Sequence, residues 1–591
     1  MDETHRIDDV YDSPVERVSE SGRSAYGPSA VRGPPRSPTM NSLIRDEIIA
    51  PKSRQGTNLT VTSNASSVLE YPWTKQYILS FDGGGIRGYS SLLIVRELMD
   101  KIADEEEAVL GPDGKPAPAD SSFKPSDPVY REQDPQIVPP GIDNAGLFRV
   151  LWRKARKQED GTASHRNSGL TASRRQSAAQ MSEKGDDSEK ARRRRSNYLP
   201  CHYFDYVGGT STGGLISILL GRLRISVDDA IEEYETLAGE IFGHPRIASI
   251  RPSWRGPILW PRDKYNGQRI VNVVNDVVTR RLGVKPTDIG QNLLSSHPHM
   301  CKTLVVSYQQ RKVEDAGDSS AEPAYLFRSY DHHPCRPKKA WQRNPGFAHR
   351  VPIWQVARAT SAAPTYFDSI TIENRKFADG AFGTNNPTDE IYHEVRLMNG
   401  DEPSHVAIVI SIGTGLNPIH RFSDKVFGKF LQVIGALKKL ATDCERVHEQ
   451  MAKLKEPGGM KYYRFNVDNE VLRKIRLDEW KAPNWHRKEN ITLKNITQVT
   501  EEYIKLPEVQ DNLKDVAKRL VKNRRDRCNT LTWGLAATGK LWRCQFGGCS
   551  SQKSQKMRVS QKNLESHLRK AHLIYDQEEL MKYVALGEES L

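Results

Sequence analysis

An α/β fold with a largely parallel sheet is predicted for this chain, and three features predict it. Strand-like apolar runs alternate with helix-like stretches, the order that builds parallel sheets. Two glycine-rich turns, at 82–88 and 208–214, each sit between a strand and a helix. Apolar residues form 37% of the 591 residues, below the ~45–50% usual for compact domains. Much of the chain should therefore be polar tail, loop or insert around one packed body. No apolar run approaches the ~18 residues a spanning helix needs.

The elements follow in order. Residues 1–71 are rich in Ser, Pro, Arg, Gly and Asn without periodicity, and are read as a disordered tail. Gln76-Tyr77-Ile78-Leu79-Ser80-Phe81 reads as a strand, broken by Asp82-Gly83-Gly84-Gly85. A helix follows from Tyr89, with Leu92, Val95, Leu98, Met99 and Ile102 on one face. Residues 107–198 break the pattern and are read as a low-complexity basic insert, with a short helix near 147–157 and a terminal Arg192-Arg193-Arg194-Arg195. A strand resumes at Tyr203-Phe204-Asp205-Tyr206-Val207, and an apolar helix runs through Leu215, Ile216, Ile218, Leu219 and Leu220. Ser226-Val227-Asp228-Asp229 opens another helix with a capping pattern. Further strands are expected at 303–308, 324–329 and 406–411, and a small-residue helix at 354–363, between Pro352 and Pro364. This divides the chain into a catalytic domain over 72–420, a mostly helical region over 421–530, a candidate zinc finger over 540–575 and a tail over 576–591.

Charge is unevenly placed. The formal net charge is +13, but residues 151–196 net +7 and residues 514–570 net +12, leaving the rest about −6. Such stretches attract anionic membranes, nucleic acids or acidic partners, or are simply solvated charge runs. Seven sparsely spaced cysteines argue against a disulfide framework and for a reducing compartment. The opening Met-Asp-Glu-Thr-His-Arg has no apolar run behind it, so no secretory leader is expected. The expected location is intracellular, cytoplasmic or peripheral to a membrane.

Three motifs carry chemistry. Gly209-Thr210-Ser211-Thr212-Gly213 lies between a strand and an apolar helix, the setting of a nucleophile elbow. Small flanking residues let the chain turn sharply and present the Ser211 hydroxyl near helix N-terminal amides. A glycine-rich structural turn is the bland alternative. Asp82-Gly83-Gly84-Gly85-Ile86-Arg87-Gly88 formally satisfies GxGxxG. A dinucleotide site would need an acidic residue ending a second strand, whereas Asp100 and Asp104 fall in or just after the helix. Consecutive glycines also suit an oxyanion hole, where bare amides converge on a developing alkoxide and each donor is worth ~3 kcal/mol. Arg87 then steadies that loop or meets a phosphate. A serine hydroxyl needs a base. None of the histidines after Ser211 sits in a triad-like motif, and Asp379, in Asp379-Gly380-Ala381 with Asn385-Asn386-Pro387 behind it, is the better base. That aspartate is expected in a loop following Lys376-Phe377-Ala378.

These motifs, in this order, with Ala357-Arg358-Ala359-Thr360-Ser361-Ala362-Ala363-Pro364 before the third and Ser411-Ile412-Gly413-Thr414-Gly415 after it, resemble the patatin-like phospholipase family. The resemblance covers 72–106 and 199–420, with echoes in Tyr462-Tyr463-Arg464-Phe465 and Leu477-Asp478-Glu479-Trp480. It implies a three-layer α/β/α fold and a Ser–Asp dyad in place of a triad. Ser211 would be the nucleophile, Asp379 the base, and Gly83, Gly84, Gly85 and Arg87 the oxyanion loop. It also implies calcium-independent hydrolysis of acyl esters of phospholipids, lysophospholipids or neutral glycerolipids, with no cofactor, at a membrane or lipid-droplet surface. Two other functions stay open. One is a silent patatin-like domain in a regulatory or scaffold protein; the other is a Ser-His-Asp hydrolase.

Finally, Cys544-x4-Cys549-x17-His567-x4-His572 has the ligand types of a C2H2 zinc site, with Leu564 placed as a finger's helix core would be. The central gap of 17 exceeds the usual ~12. A structural zinc is the cofactor expected here. One finger of this spacing is weak ground for sequence-specific DNA recognition, and the region suits anionic lipid, nucleic acid or protein.

Overall fold

The computed structural model describes residues 72–108, 190–192, 194–196, 198–245, 250–251, 258–259, 264–282, 293–310, 324–364, 366–415, 444–454, 459–482, 489–528, 530–538, 540–547, 549 and 561–590. The expected tail over 1–71 and most of the insert, including its helix at 147–157, lie outside the described residues.

Strand β1 (Gln76–Phe81) leads through the glycine turn into α1 (Gly88–Ala108), then β2 (Tyr206–Thr210) into α2 (Thr212–Ser217). Helices α3 (Val227–Phe242) and α4 (Gly267–Leu282) flank a small hairpin, β3 (Ile250–Arg251) with β4 (Ile258–Leu259). Next come β5 (Lys302–Gln310), β6 (Tyr325–Arg328), α5 (Ile353–Thr360), β7 (Ile370–Ile372), β8 (Arg375–Asp379), α6 (Thr388–Met398) and β9 (Val406–Ile412). Beyond them lie β10 (Lys461–Phe465), α7 (Glu470–Lys474), α8 (Ile491–Ile504), α9 (Pro507–Cys528) and α10 (Leu531–Thr538). A small C-terminal unit of β11 (Lys540–Trp542), α11 (Gln561–Ala571), α12 (Gln577–Gly587) and β12 (Glu588–Ser590) follows.

Eight strands form one mixed, mostly parallel sheet in the order β10-β9-β1-β2-β5-β8-β7, with β6 pairing off β5. Pairs β10–β9, β9–β1, β1–β2 and β2–β5 are parallel, and β8 and β6 both run antiparallel to β5. The central strands are apolar on both faces, as a strand covered on both sides must be. Leu79, Val207, Val305 and Ile410 face one core with α1 to α5, α8 and α9. Ile78, Tyr206, Leu304 and Val409 face another with α6 and the helical residues 444–453. Alternate residues of each strand thus divide between two cores, and helices cover both. This is the three-layer α/β/α patatin-like arrangement.

Three placements differ from the sequence reading. Asp379 ends strand β8 rather than sitting in a loop. The strand is short, charged and near the sheet edge, so it lacks an apolar alternation to announce it. Strand β10 lies within the stretch read as mostly helical and completes the sheet beside β9. The arginine run closing the insert is folded onto the body. Arg194 pairs with Asp104 and Glu107 of α1, and Arg195 with Asp100 of α1 and Asp228 of α3. Arg524 and Arg527 of α9, within the second basic stretch, are likewise buried against Glu106 and Asp205. Arg195, Arg524 and Arg527 are therefore buried in ion pairs, while Arg194 makes exposed pairs on the surface of α1.

Candidate active site

Sheet register builds the site. Thr210 of β2 stands opposite Val306 of β5, and Ser307 of β5 stands opposite Asp379 of β8. Ser211 and Asp379 therefore flank β5 at the same level, one past the end of its strand and the other at the end of its own. The Ser211 Oγ donates a hydrogen bond to Asp379 Oδ2 at 2.6 Å.

The turn holding Ser211 is tight. Ser211 has φ 55° and ψ −123°, a strained conformation for a residue with a Cβ. The sequence tolerates it because Gly209 and Gly213 close the bend. A Cβ on Gly209 would lie 2.2 Å from the Gly213 carbonyl oxygen, and one on Gly213 would lie 2.4 Å from that of Phe81. Strain is held by a bond that was not legible as functional: the Ser211 N–H donates to Thr360 Oγ1 at 2.8 Å, and Thr360 Oγ1 donates to Val306 O at 2.7 Å. Ser211 gives helix α2 no side-chain cap.

Asp379 is buried at 2% exposure. Its Oδ1 accepts the Ala381 N–H at 2.8 Å. Burial pushes the carboxyl up to about 7, while the bonds from Ser211 and Ala381 hold it back. Among the described residues, no histidine is hydrogen-bonded to Ser211 or Asp379.

The glycine loop lies beside the serine, since a Cβ on Gly83 would fall 3.2 Å from Ser211 Cβ. Its amides divide. Gly83 N donates to Asn385 O at 3.0 Å and Ile86 N to Leu477 O at 2.8 Å. Among the described residues, no acceptor engages the amides of Gly84 and Gly85. Gly85 takes φ 54° and presses against the Leu477 carbonyl, where a Cβ has no room. Thr212 and Tyr234 hydroxyls both donate to the Gly85 oxygen, fixing that peptide. Thr414 Oγ1 donates to Gly83 O at 2.7 Å. Asp82 is held in a two-pronged pair by Arg464 of β10, at 2.9 and 2.6 Å.

Arg87 is engaged by the backbone carbonyls of Arg473 and Ile475. Its guanidinium is buried, donates from Nε to Ile475 O at 2.7 Å and from Nη2 to Arg473 O at 3.1 Å, and is pulled by burial down to about 10. It anchors the loop to the segment after α7. Lys264 and Tyr265 in turn bind Asp478 there. The signal for these contacts was the echo at 462–465 and 477–480, which marked the segments without their partners.

A cleft of about 410 Å3, lined by Ala362, Pro364, Phe367, Lys376 and Ala378 among others, opens beside β8 and the end of α5. A small apolar gap of about 20 Å3 lies among Leu215, Leu219, Tyr234, Leu237 and Val277. Cys544, Cys549, His567 and His572 come together elsewhere, in the C-terminal unit, with all four ligand atoms within 4.8 Å of one another. No helix among the described residues is long and apolar enough to cross a membrane.

Residues 191–392 match the family model described as patatin-like phospholipase. Calcium-independent phospholipase A2-gamma of Oryctolagus cuniculus is 27% identical over 282 residues, covering 47% of this chain and 32% of that protein. The Homo sapiens protein of that name is 26% identical over 291 residues, with the same coverage. Phospholipase A I of Arabidopsis thaliana is 26% identical over 322 residues, 48% of this chain and 24% of that protein. The chain spans about a third or less of the length of these relatives.

Proposed function

We propose that this chain, which carries a patatin-like phospholipase domain, is a serine-dependent lipid acyl hydrolase. The observation that carries the proposal is the 2.6 Å hydrogen bond from Ser211 to a buried Asp379, beside two open glycine amides. Its substrates are carboxylic esters of phospholipids, lysophospholipids or neutral glycerolipids, met at a membrane or lipid-droplet surface. The phospholipase names of its relatives support that class.

Asp379 orients the Ser211 hydroxyl and takes its proton as Oγ attacks the ester carbonyl. Desolvation gives this carboxylate the basicity its exposed counterpart lacks. The amides of Gly84, Gly85 and the start of α2 receive the oxyanion, each such donor being worth ~3 kcal/mol. The proton passes to the departing alcohol or lyso-lipid, leaving an acyl ester on Ser211. Water, deprotonated through Asp379, then releases the fatty acid. No cofactor or calcium enters this chemistry, and the cysteine–histidine cluster lies outside it.

The test is an untargeted lipid turnover assay on wild type, Ser211→Ala and Asp379→Asn, paired with fluorophosphonate labelling. Wild type should release fatty acid and take the label, and both variants should lose turnover by at least about a thousandfold. A wild-type chain that is folded, unlabelled and inert on every ester would overturn this reading in favour of a catalytically silent domain.

A further inference from the structure

We propose that Cys544, Cys549, His567 and His572 bind one tetrahedral Zn2+, and that this ion holds the C-terminal unit together as a clamp behind α10. The four residues come from separate pieces of chain. Cys544 follows β11, Cys549 follows the turn at Gly547, His567 sits within α11 and His572 lies just past its end. Their ligand atoms nonetheless converge. Cys544 Sγ lies 3.4 Å from His572 Nε2, Cys549 Sγ lies 3.4 Å from His567 Nε2, and the two Nε2 atoms are 3.1 Å apart. A tetrahedron built on Zn–S of ~2.3 Å and Zn–N of ~2.05 Å has edges of about 3.6 Å between S and N and about 3.3 Å between N and N. These three separations match such edges to within a few tenths of an ångström, and all four ligand atoms lie within 4.8 Å of one another.

Chemistry selects the ion. Two thiolates and two imidazoles suit Zn2+ in a closed, four-ligand structural site. A Rieske [2Fe–2S] cluster also takes two thiolates and two imidazoles, but holds the two pairs on separate irons, whereas here each sulfur lies 3.4 Å from an imidazole nitrogen, as at a single ion. The surroundings are those of a structural site: both cysteines are buried, and the Phe546 ring stacks on His572 with centroids 4.1 Å apart.

The unit needs such a tie. Its core is separate from the two that cover the sheet, and consists of Trp542, Cys544, Cys549, Leu564, Leu568, Ile574, Leu580 and Val584. Two of these eight are ligands. A unit of this size rarely folds on its apolar core alone and commonly adds a metal. The architecture also departs from a ββα finger, whose two strands precede its helix. Here β11 pairs antiparallel with β12, which arrives from beyond α12, and Arg543 N donates to Gly587 O at 2.8 Å. The long gap between Cys549 and His567 and the closure by a later strand make one self-contained knot.

That knot abuts the catalytic body through α10. Ala537 O, near the end of α10, accepts from Arg224 Nη2 at 2.6 Å and lies 3.2 Å from His202 Nε2. His202 precedes the strand leading to Ser211, and Arg224 follows the helix leaving it. A metal that fixes β11 therefore fixes the end of α10 against the residues that precede β2 and follow the helix after Ser211.

The experiment uses the full chain, purified from zinc-supplemented cells without chelator, with metal content read by elemental analysis and free thiols by titration. About one zinc per chain is expected in wild type and in Cys335→Ser, with at least a tenfold drop in Cys544→Ser and His572→Ala. A strong chelator should strip wild type, expose two further reactive thiols and open residues 540–590 to protease. Cobalt exchange should give the visible spectrum of a tetrahedral two-sulfur, two-nitrogen site. Circular dichroism identifies a variant that has merely unfolded, and the wild-type chelation and cobalt measurements then decide alone. Wild type that takes up no zinc from excess, equal zinc in the ligand variants, or a Cys544–Cys549 disulfide in wild type isolated under reducing conditions would overturn the proposal. None of these readouts requires ester hydrolysis, so the outcome is separate from that of the proposed function.

Discussion

The Ser211 amide and the Thr360 hydroxyl are joined at 2.8 Å, and that hydroxyl is joined to Val306 O at 2.7 Å. One side chain from α5 thus ties the serine turn to the strand lying between Ser211 and Asp379. Thr360→Val keeps the shape and removes both bonds, leaving a buried amide and a buried carbonyl without partners. Such groups cost about 1–3 kcal/mol each. The expected result is a lower urea midpoint and a kcat reduced by about tenfold to a hundredfold with little change in KM. Thr360→Ser should restore most of the rate.

The Asp379 carboxyl sets a pH dependence of known sign. It must be ionised to act as base, and burial holds it up to about 7. The rate, kcat/KM, should rise about tenfold per pH unit below that value and level off above it. Stability should move oppositely. A carboxyl whose proton is bound more tightly in the folded than the unfolded state loses stability as pH climbs from about 4 to about 7. Asp379→Asn removes this loss. At pH 8 it should be more stable than wild type by about 2–4 kcal/mol, the equivalent of the shift less relaxation. The two should converge near pH 4. A variant no more stable than wild type at pH 8 would remove desolvation as the source of basicity.

How far the sequence could be read follows from how local each feature is. The serine turn was legible because its demand for small residues acts within five positions, Gly209 to Gly213. The glycine loop was legible for the same reason. The roles of Thr360, Thr414 and Arg464 were not, although each lay in a stretch already noticed, because each acts on a residue distant in the chain: Ser211, Gly83 and Asp82. That Asp379 closes a strand and does not sit in the loop after Lys376-Phe377-Ala378 was not legible, because Arg375 and Lys376 are exposed there and only Phe377, Ala378 and Asp379 are buried. The arginines before Tyr198 looked like a solvated run since their acids lie on α1 and α3, about 90 and 33 residues away. Charge counted along a chain says nothing of charge met in space.

Arg87 is expected to be a positioning residue. Its guanidinium grips the Ile475 and Arg473 carbonyls while Ile86 N grips Leu477 O, so the segment after α7 sets where the Gly84 and Gly85 amides point. Arg87→Met should leave those carbonyls unpaired and let the loop drift. A donor displaced by about 1 Å costs on the order of a hundredfold. The split expected is a fall in kcat with KM nearly constant, and slower fluorophosphonate labelling. Arg87→Lys, which reaches one carbonyl but not two, should fall between. A labelling rate unchanged in Arg87→Met would reduce the residue to packing.

The pair between Arg527 and Asp205 should matter for stability. Arg527 of α9 meets both Asp205 oxygens, at 2.8 and 3.0 Å, and donates to Pro72 O and Lys75 O, with its guanidinium 4.3 Å from the Trp73 ring. Asp205 in turn accepts the Tyr77 N–H at 2.8 Å, at the head of β1. The guanidinium therefore knits the last long helix to the strand that leads into the glycine loop. Arg527→Met strands a buried carboxylate, a loss of about 3–5 kcal/mol. Replacing both partners, Arg527→Met with Asp205→Asn, leaves no stranded charge and keeps an acceptor for Tyr77. In chemical denaturation the double variant should be more stable than Arg527→Met alone by about 1–3 kcal/mol. If the second substitution adds its own full penalty, the two side chains act independently and the contact contributes no coupling.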